Sequence, residues 1–317
     1  FSGWLDKGIS PFAFLEGGWP RYWTVFDLAA NVAVYVPLGF FLTLALHRLP
    51  GRFTAPVLAV LLATTVSFAL ETMQTWLPSR VPSNVDLACN AIGSLVGAVW
   101  AQIVGPRIFN RIAAWQQRLI APIPHAELGL TLLGLWLLIP LSPETLLFGA
   151  GDLRQLLGLS GAVPFAAESF VVIEASITAF NALAVGLIVR LLCARTAQAY
   201  LAVPLFILLG LVVRTLATAI LVDPGDAFTW LTPGAQMGLL LAIFGLAVGI
   251  ALPATARLML AALALMAGAI LVNLAPPNPY SAAALAVWRQ GHFLNFNGLT
   301  RWVSTLWPFL TLPFLLL

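Results

Sequence analysis

Apolar residues run along the chain in long blocks broken by Pro, Gly or charge, at roughly 26–47, 54–77, 85–104, 126–141, 166–192, 200–222, 234–252, 254–274 and 299–317. Most blocks reach the ~17–25 residues that a helix needs to cross a bilayer. The block at 126–141, flanked by Pro124 and Pro140, is the shortest. The alternation of a β-barrel strand is missing, and inside lipid only helices otherwise satisfy every backbone group. The pattern predicts an all-α fold: a polytopic transmembrane helix bundle of eight or nine spans. A faint self-similarity runs through it. Asn31 and Asn181 sit alike in the first and fifth blocks, and Gly93-Ser-Leu-Val-Gly97 and Gly245-Leu-Ala-Val-Gly249 sit alike in the third and seventh. Offsets of about 150 residues describe a parallel repeat of two four-helix units. The expected organisation is an outer-face segment over 1–25, a first helical unit with a basic connector over 26–125, a second unit over 126–274, and an outer interfacial segment with the last span over 275–317.

Composition narrows this further. The 317 residues are 61% hydrophobic and only 9% charged, with a mean hydropathy of +0.97. A soluble domain carries about 25% charged residues, so this chain lacks the polar surface to cover itself in water. The net charge of +3 includes no Lys/Arg run suited to nucleic acid. Cys89 and Cys193 fall near opposite faces of the predicted bundle, which argues against a disulfide framework.

Where the charges sit sets an orientation. Alternate loops hold Arg48 and Arg52, then Arg107, Arg111 and Arg118, then Arg190 and Arg195, then Arg257. The opposite set holds Arg80, Arg154, Arg289 and Arg301 among Glu144, Asp152, Asp223 and Asp226. Basic loops face the cytoplasm, so residues 1–25 are expected outside, which fits an upstream helix or signal segment that delivered them there. Two further segments read as interfacial. Residues 105–124 mix Arg107, Arg111 and Arg118 with Ile108, Phe109, Ile112, Trp115 and Leu119, as an amphipathic surface helix does. Residues 281–298 place Trp288, Phe293 and Phe296 beside Arg289 and His292.

Ionisable groups inside spans are expensive, at roughly 2.5–3.5 kcal/mol near a helix centre on insertion scales. They gather at the outer ends of the first three helices. Asp27 and Asn31 lie four apart, Glu71 and Gln74 three apart, and Asp86 and Asn90 four apart, so each pair stacks on one helical face. Ser83 or Asn84 is placed to cap the third helix, with Asp86 near its positive end. Glu71 sits about 9 Å inside the expected helix end, at 1.5 Å per residue, and needs a partner, water or a proton; Arg80 in the connecting loop is the candidate partner. A structural clasp and a ligand site both fit this cluster. In the second half, Glu168 and Glu174 fall in the outer half of the fifth block, Asn181 near its middle and Arg214 in the outer half of the sixth. Glu174 with Arg214 reads as an intramembrane ion pair, or as part of a substrate or proton path.

Cofactor signatures are missing: no Walker loop, dinucleotide fingerprint or His/Cys metal spacing occurs. His47, His125 and His292 lie far apart. No cofactor and no metal are expected.

Asp27…Asn31, Tyr35-Val-Pro-Leu-Gly39, Glu71-x-x-Gln74, Arg80, Asp86 and Asn90-x-x-Gly93 together resemble the VanZ-like membrane family over about residues 20–104. That family is named for an accessory protein of bacterial glycopeptide (teicoplanin) resistance. Pro11-Phe12, Trp19-Pro20-Arg21-Tyr22 and the tail Asn278-Pro-Tyr280…Trp288…Gly298…Arg301 are similar to longer bacterial members. The resemblance implies a multi-pass protein of the bacterial cytoplasmic membrane. With the clustered polar faces and the missing cofactor signatures, the family's envelope association leads to the expectation that it binds or moves an amphiphilic envelope molecule. A lipid-linked glycan precursor or polyisoprenyl phosphate is the expected partner, with Arg80 on the anion, Glu71 switching or pairing, and Asp86, Asn31 and Asn90 shaping the pocket. Two alternatives stay open at this stage. One is a non-catalytic scaffold subunit with membrane-protein partners. The other is an intramembrane enzyme using Glu71 and Asp86 on a lipid-linked phosphate, although a non-enzymatic role is favoured.

Overall fold

The computed structural model describes residues 8, 10–18, 25–77, 81–157, 164–276, 278–279 and 297–316. They are overwhelmingly helical and divide into two compact units, Phe1–Trp115 and Gln116–Leu317. Six helical stretches are long and apolar enough to cross a membrane: Asp27–Ala45, Thr54–Gln74, Asn84–Gly105, Ala167–Leu192, Thr196–Leu221 and Ala254–Leu274. Of the other expected spans, Ala126–Leu141 and Pro233–Gly249 are apolar but shorter. The chain is a polytopic membrane helix bundle.

The first unit is built from α1 (Val25–Ala45), α2 (Thr54–Gln74) and the first part of α3 (Asn84–Leu119). Along α2 the buried positions are Ala55, Ala59, Ala63, Ser67 and Glu71, while Val57, Leu61, Leu62, Val66, Leu70 and Met73 are exposed. Small residues inward and large apolar ones outward are what lipid demands, because close backbone approach rather than water exclusion holds such helices together. The approach is closest between α1 and α3. A Cβ at Gly93 or Gly97 would collide with the carbonyls of Val32 or Val36, and one at Gly39 with the carbonyl of Ser94. These glycines bring the two backbones into contact. The α3 helix also departs from expectation: the separate surface helix over 105–124 does not exist, because the span continues unbroken to Leu119. Arg107, Arg111, Trp115 and Arg118 are exposed on that extension.

Residues 10–18 lie across the ends of α2 and α3. Phe12 stacks on Phe68 at 5.8 Å and Phe14 packs on the same ring at 6.0 Å. Asn84 Nδ2 donates to Gly17 O at 2.6 Å, and Thr75 Oγ1 to Pro11 O at 3.3 Å.

The second unit contains α4 (Ala126–Trp136) with a 3₁₀ turn at Ile139–Leu141, the short α5 (Arg154–Leu157), α6 (Ala167–Leu192), α7 (Thr196–Leu221), α8 (Pro233–Gly249), α9 (Ala254–Leu274) and α10 (Asn297–Leu316). Its axis is α6, which is buried along most of its length and packs on α4, α7, α8 and α9. Trp136 and Trp307 fill the space beside α4; Trp307 Nε1 donates to Leu132 O at 2.7 Å. The Gly245/Gly249 pair on α8 meets Leu183 and Leu187 of α6. As in the first unit, a glycine pair thus faces the helix that carries the corresponding asparagine, although here it meets side chains and not backbone.

At one end of this unit Arg190 is buried in the last turn of α6, not in a loop, and donates to Ile250 O, Cys193 O and Thr196 Oγ1. Burial pushes the thiol pKa of Cys193 up, and the nearby Arg190 charge only partly offsets this. The thiolate is the reactive form. In a Cys89→Ser background, native protein at mildly alkaline pH is therefore expected to react with maleimide far more slowly than the same chain unfolded in SDS. Equal rates would place Cys193 in water.

Candidate functional site

Of the clustered polar groups of the first unit, Asn31 and Asp86 bond to each other, while Glu71 and Asn90 find other partners. Ser83 caps α3, its Oγ accepting from Val85 N at 3.2 Å and Asp86 N at 3.4 Å. Asp86 in the first turn of α3 is half-buried and accepts Asn31 Nδ2 of α1 at 2.7 Å. The α2 helix ends at Gln74, a turn earlier than expected, so Glu71 lies in its last turn. It is nonetheless only 5% exposed. Its Oε2 accepts the backbone N–H of Ser83 at 2.9 Å, tying α2 to the α3 cap. Asn90 does not join Asp86. One turn deeper, it donates to Ser67 Oγ of α2 at 2.8 Å, and Ser94 donates to its carbonyl. Asp27 is exposed, and Gln74 is half-buried near this end. Arg80 lies outside the described residues, as do Trp19 to Tyr22, Tyr280, Trp288, Arg289, His292, Phe293 and Phe296.

The result is a set of polar groups of graded exposure at the helix ends: Asp27 exposed, Asn31 and Asp86 half-buried, Glu71 buried. Sequence reasoning missed Ser67, although the four-residue repeat of small residues on α2 points straight at it.

The charges of the second unit are arranged differently from expectation. Glu168 is exposed in the first turn of α6, where a carboxylate complements the helix dipole. Asn181 is fully buried but local: its Nδ2 donates back to Ile177 O at 2.9 Å, and it packs on Gly268. The expected Glu174–Arg214 ion pair does not form. Arg214, 5% exposed, donates instead to the carbonyls of Ser142, Pro143 (3.0 Å) and Thr145 (2.6 Å). Those carbonyls belong to a non-helical stretch after the 3₁₀ turn, outside any helical ladder, although Ser142 O also accepts the Thr145 amide and hydroxyl. Glu174, 2% exposed, accepts Thr232 Oγ1 at 2.6 Å. Thr232 in turn caps α8 by accepting Ala235 N at 3.1 Å. Glu174 and Arg214 line one cavity of about 300 Å3, together with Thr218, Asp226, Trp230 and Thr232.

At the same end, Glu144 pairs with Arg301 at 3.2 Å and Asp152 with Arg154 at 2.7 Å. Most acidic groups of the second unit thus lie at this end; Glu127, in the first turn of α4, lies at the other, beside Gln116. Among the described residues no group of His, Cys, Asp or Glu has the arrangement of a metal site.

Apolar spans carrying graded polar helix ends define a multi-pass membrane protein. Residues 5–105 match the family model described as VanZ/LLP1. The chain therefore carries a VanZ-like N-terminal unit, in agreement with the motif resemblance; the match ends before the second unit. No curated protein and no solved structure matches the chain.

Proposed function

We propose that the protein binds an amphiphilic cell-envelope molecule of the bacterial cytoplasmic membrane, holding its polar head at the helix ends of the VanZ-like unit. The observation that carries this reading is the set of polar groups of graded exposure from Asp27 to Glu71. In this reading the head group engages these polar groups while the tails lie along exposed Val34, Phe41, Leu62 and Leu70. In the same reading the Arg48, Arg107–Arg118, Arg195 and Arg257 end is cytoplasmic and the polar helix ends are external. Arg80 meets the anion of a lipid-linked glycan precursor or polyisoprenyl phosphate, and the family's link to glycopeptide resistance follows from handling that cargo.

A second reading is supported by the bonds Asn31–Asp86, Glu71–Ser83 and Asn90–Ser67, which join α1, α2 and α3. Here the cluster only fixes helix packing, and the protein is a scaffold subunit of a larger membrane complex. Native mass spectrometry of gently extracted parent, Glu71→Gln and Arg80→Ala proteins separates the two. Binding predicts an anionic isoprenoid or glycolipid on the parent that both variants lose while staying folded. A lipid-free parent with a stoichiometric protein partner, unchanged by either substitution, would establish the scaffold instead.

A further inference from the structure

The cavity of the second unit has chemistry that the reading of the first unit does not use. Its two deeply buried ionisable residues, an acid and a base, are each bonded elsewhere. Joining them would have been the least costly arrangement for two charges in apolar spans, because a buried charge is tolerable only when well paired. Their depths match: Glu174 lies seven residues from the start of α6 and Arg214 seven from the end of the antiparallel α7, about 10 Å in each case at 1.5 Å per residue. The cavity lies beside both.

Neither group is used up by the protein. A guanidinium has five N–H donors. Arg214 commits three bonds to the carbonyls of Ser142, Pro143 and Thr145, and its buried Nε has no partner among the described residues. Glu174 Oε1 takes the Thr232 hydroxyl, and its buried Oε2 has none. The lining adds the second carboxylate of Asp226, exposed at the rim, the indole of Trp230 and the hydroxyls of Thr218 and Thr229. An aromatic face beside a carboxylate favours a cationic group. The volume of about 300 Å3 stands at the small end of ligand cavities, which run from about 300 to 1,000 Å3. It holds a head group or a small metabolite, not a lipid body.

We propose that this cavity binds a small zwitterion, with its ammonium on the Glu174 carboxylate and its carboxylate or phosphate on the free donors of Arg214. Two sources share that chemistry: a free amino-acid-like molecule, and the phosphoethanolamine head group of a lipid. Each ligand charge meets its opposite, and the two buried groups are joined through the ligand.

The test is thermal-shift and calorimetric titration of the purified full chain with alanine and with free phosphoethanolamine. Ethanolamine alone and phosphate alone serve as half-ligands. Native mass spectrometry from nanodiscs of phosphatidylethanolamine or phosphatidylglycerol runs alongside. Binding of at least one zwitterion, with either half weaker by at least about tenfold, is expected. Binding of free alanine or free phosphoethanolamine identifies a soluble ligand; retention of phosphatidylethanolamine alone identifies a lipid head group. Glu174→Gln, of nearly the same shape, is expected to weaken binding at least about tenfold. Thr218→Leu, which fills the cavity wall without removing a charge, is expected to abolish it; should one variant not fold, the other decides. Half-ligands that match the zwitterions, a folded variant that binds like the parent, or a parent that binds neither zwitterion nor phosphatidylethanolamine would each overturn the assignment.

Discussion

Gly97→Leu is expected to prevent accumulation of the folded protein in the membrane. At position 97 any Cβ meets the Val36 carbonyl, and it would also stand 2.8 Å from the Phe40 amide nitrogen. Overpacking a core usually costs about 1–3 kcal/mol, because neighbouring side chains change rotamer to make room. Here the obstacle is helix backbone, which has no rotamer to change. The α1 and α3 helices must therefore separate, and the separation also stretches the 2.7 Å bond from Asn31 to Asp86. Size-exclusion chromatography and thermal unfolding in mild detergent should show an aggregated or strongly destabilised Leu variant, with Gly97→Ala in between. A Leu variant that elutes and melts like the parent would disprove backbone contact at this crossing.

Arg214→Met is expected to cost more stability than loss of one surface charge would, with Arg214→Lys recovering only part of it. Removing the guanidinium takes a donor from three carbonyls at once, those of Ser142, Pro143 and Thr145, of which, among the described residues, only Ser142 O keeps other donors, the Thr145 amide and hydroxyl. A buried acceptor left unsatisfied costs about 1–3 kcal/mol. Lysine brings a compact ammonium in place of a rigid planar fork and cannot reach all three carbonyls in the same way. Hydrogen exchange should rise across residues 142–149 in both variants, and most in the Met protein. If Arg214→Met melts within about 1 kcal/mol of the parent, the other bonds to Ser142 and Glu144 are holding this stretch. Those bonds run from Ser142 to Thr300, from Asn278 to the Glu144 carbonyl, and from Arg301 to the Glu144 carboxylate.

How far each feature could be read from sequence follows from what carries its information. Helices α1, α2, α6, α7 and α9 were legible because an apolar run of span length has few alternatives in lipid. The extension of α3 to Leu119 was not: its change from apolar to basic marks a change of solvent, and a helix can cross that boundary unbroken. The crowding of polar residues at the helix ends was legible, and Ser83 was one of two residues placed to cap α3. The particular contacts Asn31–Asp86 and Glu71–Ser83 were not, since one crosses between helices and the other ends on a backbone amide. The Glu174–Arg214 pair failed for the second of these reasons. Matching depth was correctly inferred, but the partners of Arg214 are main-chain carbonyls in a non-helical stretch, and a backbone acceptor has no residue type to betray it.

The stripe on α2 has a consequence of its own. Ala55, Ala59 and Ala63 repeat every four residues, so on their own they are interchangeable steps. Moving α2 along its neighbours by one step, about 6 Å at 1.5 Å per residue, would set alanine where alanine had been and cost little. Ser67 and Glu71 end that degeneracy, because only one placement puts the serine opposite Asn90 and the carboxylate opposite the amide of Ser83. The alanines make α2 a smooth rail and the two polar residues are its stops. Replacing them with alanine would leave every helix intact while giving the bundle several nearly equal ways to assemble.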